Sequence, residues 1–240
     1  MKTWTLYKRE MGDYFNSPIA YIAIIVFLVI TGMIAMIEIL GAEVPRADLR
    51  PLLEWMPVVM ILLAPAIAMR LLAEEKATGT LELLITLPVS DWSVVLGKFL
   101  AGLSVLALAI LCTLPIPIAM SQMGDLDWGV TMGGYLGLFL MGGCYVSIGL
   151  MTSSWAKSQV IAFIIAVSLC LVFWFPGSNW MVDAAPEGLR PWLQNLFGLG
   201  YHFRNISKGI LDSRDVIYYL SIGAACLLLA VQSLESRKWR

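Results

Sequence analysis

The stretch EWMPVVMILLAPAIAMR, residues 54–70, decides how the chain is threaded. Its charge-free core, Trp55–Met69, is shorter than the about 20 residues that a helix needs to cross the hydrocarbon of a bilayer. It spans only if Glu54 and Arg70 stand at its ends and reach for the headgroups. Five other charge-free runs span, or nearly span, by length alone: Tyr14–Ile37, Phe99–Gly124, Trp128–Ala156, Ser158–Val182 and Val216–Leu234. Counting residues 54–70 as a span gives six crossings, and omitting it reverses everything that follows.

Charge decides between the two threadings, because short cytoplasmic loops carry the excess of Lys and Arg. With six spans and an inner N-terminus, the inside holds Lys2, Lys8, Arg9, Arg70, Lys76, Lys98, Lys157, Arg237, Lys238 and Arg240. The outside holds only Arg46, Arg50, Arg190, Arg204, Lys208 and Arg214. With five spans the bias inverts, so the sequence predicts an all-α integral membrane protein of six transmembrane helices with both termini cytoplasmic. The expected spans are 16–40, 51–73, 91–120, 128–154, 158–176 and 215–234, in one transmembrane domain over residues 1–240. The first apolar run exceeds the 7–15 residues of a signal-peptide core and has no clean cleavage site, so it is expected to stay in the membrane.

Composition agrees. Of 240 residues, 59% are hydrophobic and 14% charged, and the mean hydropathy is +0.80. Soluble domains carry about 25% charged residues, and no polar stretch here is long enough to fold as one. The near-neutral net charge of -1 argues against nucleic-acid binding. Cys112, Cys144, Cys170 and Cys226 lie in apolar runs without CxxC spacing and read as packing residues. His202 stands alone in the sequence and is no metal site.

Outside the spans, three segments carry pattern. In residues 1–15, Trp4, Tyr7, Met11 and Tyr14 recur at three and four residues and share a helical face, with Lys2, Lys8, Arg9 and Asp13 as polar company. This reads as a helix lying in the inner interface, aromatic side toward lipid. Span 4 has Gly129, Gly133 and Gly137 at four-residue spacing, which lets helix backbones approach closely. Both packing within the subunit and a dimer seam fit that pattern. Residues 176–214 are rich in Trp, Leu, Phe and Tyr and are expected to form short helices dipping into the outer surface.

The most informative segment is the inner loop EEKATGTLELLITLPVS, residues 74–90, followed by Gly97-Lys98. Span 2 continues as a charged helix end, and Gly79 breaks it. Thr80 can cap a new helix whose first turn places Glu82 at the positive helix end. That helix puts Leu81, Leu84 and Ile85 on one face, and Pro88 stops it. Ser90 or Asp91 then caps span 3. Two turns are too few to be stable alone. The helix must rest on headgroups or insert into a groove of a partner.

This loop resembles the coupling-helix region of ABC type-2 permeases, the six-span membrane subunits of transporters driven by a separate ATPase. A second run, HFRNISKGILDSRDVIYYLS at residues 202–221, is similar to the entry of the last span in gliding-motility-type permeases. The resemblance implies that Thr78, Gly79, Thr80, Leu81, Glu82, Leu84, Ile85 and Pro88 form the ATPase contact, with Glu74 and Glu75 beside it. It implies that Trp4, Tyr7, Lys8, Arg9 and Met11 belong to a connecting helix at the inner interface, and that residues 176–214 form outer re-entrant helices. The implied partners are an ABC ATPase dimer, a second permease (identical or similar) and, for the gliding-type subset, an accessory envelope subunit. The implied setting is the inner membrane of a bacterium. The implied function is the translocation path of an exporter.

The sequence has no G-x-x-x-x-G-K-[ST], so ATP and Mg are expected in the partner and no cofactor in this chain. The five long runs carry no mid-membrane carboxylate of the kind ion-coupled carriers use. No Ser, His and acid lie at catalytic spacing, which argues against an intramembrane enzyme. A membrane scaffold without transport of its own is the remaining alternative. A scaffold would bind a partner whose ATPase rate ignored it.

Overall fold

The run that decides the threading extends well past its charged ends. Arg50–Ala77 is helical over 28 residues, and it is one of six helical stretches long and apolar enough to cross a membrane. The computed structural model describes residues 2–41, 48–80, 89–177, 186, 188, 198–210 and 212–238. Helix α1 (Lys2–Asn16) precedes the first span, α2 (Pro18–Gly41). The second span is α3 (Arg50–Ala68) plus α4 (Arg70–Ala77). The third is α5 (Asp91–Leu111) plus α6 (Pro115–Ser121). The fourth is α7 (Trp128–Trp155), and the fifth is α8 (Gln159–Trp174), continued by the 3-10 turn Phe175–Gly177. A short helix α9 (Leu199–Ser207) precedes the last span, α10 (Ser213–Lys238).

Short polar side chains start the third, fourth and fifth spans. Ser90 accepts from the Ser93 N–H, Asp127 from Gly129 and Val130, and Ser158 from Ile161, each satisfying N–H groups that have no partner inside the helix. Prolines set the interruption in span 3. Pro115 has no N–H to give Leu111, and the chain tightens into three-residue turns, Thr113 N–H to Ile110 O at 3.0 Å and Leu114 N–H to Leu111 O at 3.1 Å.

The fourth span is the hub. Helix α7 packs against α3, α4, α5, α8, α9 and α10. It is the least apolar span, with a mean hydropathy of 1.5 against 2.7 for the first, yet 78% of its most apolar stretch is buried against 22%. Its surroundings are protein, so it can carry Ser147, Thr152 and Ser154, whose hydroxyls donate to the carbonyls of Cys144, Gly149 and Met151 one turn back. The first and fifth spans are only 22% buried on the same measure and leave Ile22, Val29, Met33, Val160 and Ile164 exposed.

Glycines let the neighbours close on this hub. A Cβ at Gly149 would lie 2.5 Å from the Ala68 Cβ, and one at Gly134 would lie 2.5 Å from a Leu53 methyl. A Cβ at Gly133 would lie 2.8 Å from the Ile206 carbonyl, and one at Gly137 would press on Phe203 and Ile206. Two of the three regularly spaced glycines of span 4 therefore pack within the subunit, against α9. The third, Gly129, meets only the side chain of its own cap, Asp127.

Where α3 and α7 meet, Ser153 enters the hydrogen-bond ladder of span 2. Its Oγ donates to Met69 O (2.9 Å) and accepts from the N–H groups of Leu72 (3.1 Å) and Ala73 (2.8 Å). An inserted side chain of this kind interrupts a helix, and α3 ends at Ala68 while α4 begins at Arg70. At the opposite end of the bundle, His202 of α9 is not alone. Its Nδ1 lies 2.5 Å from Asp215 Oδ1 of α10, its ring stacks on Tyr218 at 4.0 Å, and both members of the pair are buried. Among the described residues no group of His, Cys, Asp and Glu could hold a metal ion.

The close approach of α3 and α7 gives a graded test. Gly149→Ala forces a methyl into Ala68 and is expected to lower the melting temperature in detergent by the equivalent of about 1–3 kcal/mol, the usual cost of overpacking. Gly143→Ala, whose Cβ would meet only a Leu103 methyl at 3.4 Å, is expected to leave melting almost unchanged. Equal effects would refute the packing.

Candidate functional site

The candidate site is built where α1, α4 and the start of α5 converge, at the end of the bundle that carries the N-terminus. Helix α1 buries or half-buries Thr3, Leu6, Tyr7, Glu10, Met11 and Tyr14, which share one face at three- and four-residue spacing. That face lies on protein. A Cβ at Gly97 of α5 would lie 3.1 Å from the Leu6 Cβ and 3.3 Å from Thr3 O, so the glycine lets the two helices touch. Tyr7 hydrogen-bonds Ser104 of α5 (3.1 Å), and the Tyr14 hydroxyl donates to Ile67 O (2.8 Å).

The aromatic stripe is thereby redirected. Tyr7, Met11 and Tyr14 face other helices where an orientation toward lipid was expected. Trp4 sits at the edge, 60% exposed and stacked on Tyr7 at 4.9 Å, with Lys8 Nζ 5.7 Å from its ring centroid. The physical reason is Glu10: a carboxylate in the centre of the half-buried stripe needs a buried partner, and lipid offers none.

That partner is Lys98, in the second turn of α5 and only 1% exposed. Its Nζ donates to Glu10 Oε1 at 2.8 Å and lies 2.9 Å from Glu75 Oε1 of α4. One ammonium thus joins three elements. Two carboxylates share its charge, and Glu75 Oε2 is buried without a hydrogen-bond partner among the described residues. Burial pushes the Glu10 carboxyl above its ordinary value, and Lys98 only partly offsets this; the nearby Glu75 and Asp13 charges add to the rise. Lys98 was counted from sequence as an inner-loop cation. It is a buried structural one.

Beside the triad opens a cleft of about 430 Å³ between α1 and α4. Its charged lining is Glu10, Asp13, Glu74 and Glu75 against Arg9, Arg70 and Lys98, with Thr78 and Thr80 at the rim. Arg70 pairs with Glu74 (2.9 Å) and lies over the Tyr14 ring (5.4 Å), so it turns into the protein where the sequence had it reaching for headgroups. Arg9 and Asp13 approach only to 3.9 Å and are exposed.

Of the residues singled out from sequence, Arg9, Glu74, Glu75, Thr78 and Thr80 line this one cleft. Gly79 ends α4 with a φ of +72°, a conformation in which glycine bears no steric cost. Thr78 Oγ1 lies 3.0 Å from Glu74 O and 2.9 Å from Thr80 Oγ1. Leu81, Glu82, Leu84, Ile85 and Pro88 lie outside the described residues. Sequence reading missed Glu10 and Ser153, and it named Lys76 and Lys98 as inner cations without their partners. A charge inside the apolar stripe of α1 was the available signal for Glu10. Lys76 donates to the last carbonyls of α7, Ser153 O (3.2 Å), Ser154 O and Ala156 O (3.1 Å), the favoured place for a cation at a helix end.

A family model described as ABC-2 family transporter protein matches residues 4–189, which is most of the chain and includes α1, α4, α5 and the cleft. No curated protein matches the chain.

The triad gives two expectations. Lys98→Met leaves two buried carboxylates unpaired and is expected to cost about 3–5 kcal/mol, the usual penalty for breaking a buried pair, read as lost melting temperature or expression. The raised Glu10 carboxyl binds its proton more tightly in the folded chain than in the unfolded one. Its contribution to stability is therefore largest at low pH and is lost as pH rises from the ordinary value of 4.5 through the raised one. Glu10→Gln is expected to flatten that part of the melting-versus-pH curve, and an unchanged curve would refute the assignment.

Proposed function

The chain belongs to the ABC-2 transporter family, and we propose that it is the transmembrane permease subunit of an ATP-driven exporter of the gliding-motility-type subset. In this reading a separate ABC ATPase dimer binds ATP and Mg, and this chain forms the translocation path with a second permease, with an accessory envelope subunit as a further partner. The setting is the cytoplasmic membrane of a bacterium, with both termini inside. Residues 78–88 form the helix that docks on the ATPase, α1 is the connecting helix at the inner interface, and the segment around α9 provides the outer re-entrant helices.

The observation that carries this reading is the Lys98 triad beside the docking segment. Helix α4 leads directly into residues 78–88, and Glu75 near its end shares Lys98 with Glu10 of α1. A displacement of the docked helix therefore acts on α1 and on the start of the third span together. The energy of hydrolysis can enter a bundle whose sequence carries no P-loop motif and bias it between two arrangements.

The test is ATPase stimulation in nanodiscs with the P-loop ATPase that co-purifies with the chain. Gly79→Pro removes the left-handed turn after α4, and Glu82→Arg reverses the charge at the start of the docking helix. Both are expected to bring the rate toward that of the ATPase alone while membrane insertion stays intact. Stimulation at the wild-type level by both variants would overturn the placement of the docking helix.

A further inference from the structure

Resting on the coupling reading above, we infer that the cleft between α1 and α4 receives a lysine or arginine side chain of the ATPase subunit, which completes a charge cluster that the described residues leave unbalanced. The lining holds four carboxylates and three cations. Each cation is already matched: Lys98 by both Glu10 and Glu75, Arg70 by Glu74, and Arg9 by Asp13. Arg70 keeps one unpartnered donor, Nη1, but its single charge is met by Glu74. The surplus charge falls on the pair around Lys98, where Glu75 Oε2 is buried and has no partner among the described residues.

A carboxylate oxygen held out of water without a partner is costly, and an incoming cation is the group that removes the cost. The adjoining segment of the chain does not supply one. Residues 81–88, LELLITLP, contain a further carboxylate, Glu82, and no cation. Lys76 is turned to the carbonyls at the end of α7, and Lys8 lies over Trp4. The cleft is roomy enough at about 430 Å³ for an extended basic side chain. It is bordered by Thr78 and Thr80, where the docking segment begins. A cation entering there reaches the group that ties α4 to α5, so contact and force transmission share one atom cluster.

The experiment measures binding of the co-purifying ATPase subunit to the chain in nanodiscs at low and high salt. Wild type is expected to bind with a clear salt dependence. Glu75→Gln is expected to weaken binding by about tenfold or more, the size found for close interfacial charge pairs. Glu75→Lys is expected to abolish binding, and one Lys→Glu or Arg→Glu change on the ATPase is expected to restore it. Restoration by charge exchange is a result that a merely destabilised permease does not give. Should the Glu75 variants fail to fold, Thr78→Lys places a cation at the exposed rim without touching the triad and is expected to weaken binding comparably. Wild-type affinity and salt dependence in the folded variants overturn the inference and leave the coupling reading standing. If the wild-type chain binds no ATPase, the coupling reading falls and the inference falls with it.

Discussion

Two helices meet with little more than the Ala68 methyl between their backbones where Gly149 of α7 faces α3, and much of the molecule follows from that contact. At this distance Ser153, one turn further along α7, reaches the broken ladder between Met69 and Ala73. Its hydroxyl donates once and accepts twice there, its full capacity. In a bilayer those backbone groups have no water to turn to, so one oxygen makes the interruption of span 2 tolerable. One turn further along α4, Lys76 closes over the last carbonyls of α7. Helix α4 is thereby seated on the end of the hub, with Glu75 placed against Lys98.

The charge cluster built on that seat says little for stability by itself. A buried ion pair recovers its desolvation cost only with good geometry and satisfied lone pairs, and here two carboxylates compete for one ammonium. Burial is the main cause of the rise of the Glu10 carboxyl, and the neighbouring Glu75 charge adds to it. What the cluster does provide is connection. The amphipathic helix, the end of span 2 and the start of span 3 are tied through one nitrogen, and none of the three can shift far without separating charges in a low-dielectric setting.

Much of this was legible in the sequence, for identifiable reasons. Span number followed from apolar run length and from the placement of Lys and Arg. Gly79 read correctly, and Ser90 is the cap of the two candidates Ser90 and Asp91, because a left-handed glycine and an N-cap serine act locally. The seat of α4 was not legible: Ser153 to Met69 and Lys98 to Glu10 join positions more than 80 residues apart, and no local pattern carries such a pairing. The face of α1 was half legible. The three- and four-residue spacing of Tyr7, Met11 and Tyr14 gave the buried side, but spacing alone does not distinguish a lipid surface from a neighbouring helix, and Glu10, which does, was not singled out. His202 was read as solitary because Asp215 lies on the next helix.

The distribution of polarity bears on how such a bundle could move. The fourth span is central, the least apolar and the richest in glycine, while the first and fifth are strongly apolar and mostly uncovered. A bundle built this way holds its centre by close contacts at Gly134, Gly142 and Gly149 that leave no room for an added methyl, and leaves its periphery to apolar surfaces. Motion delivered at α4 meets two different joints. Toward α3 it meets a helix ladder already opened and bridged by a single hydroxyl, which can yield. Toward α5 it meets Lys98, whose charge is shared across the contact. Under the proposed coupling, a pull on α4 is therefore carried into the third span and α1 more stiffly than into α3, and span 2 bends at Met69 while span 3 follows.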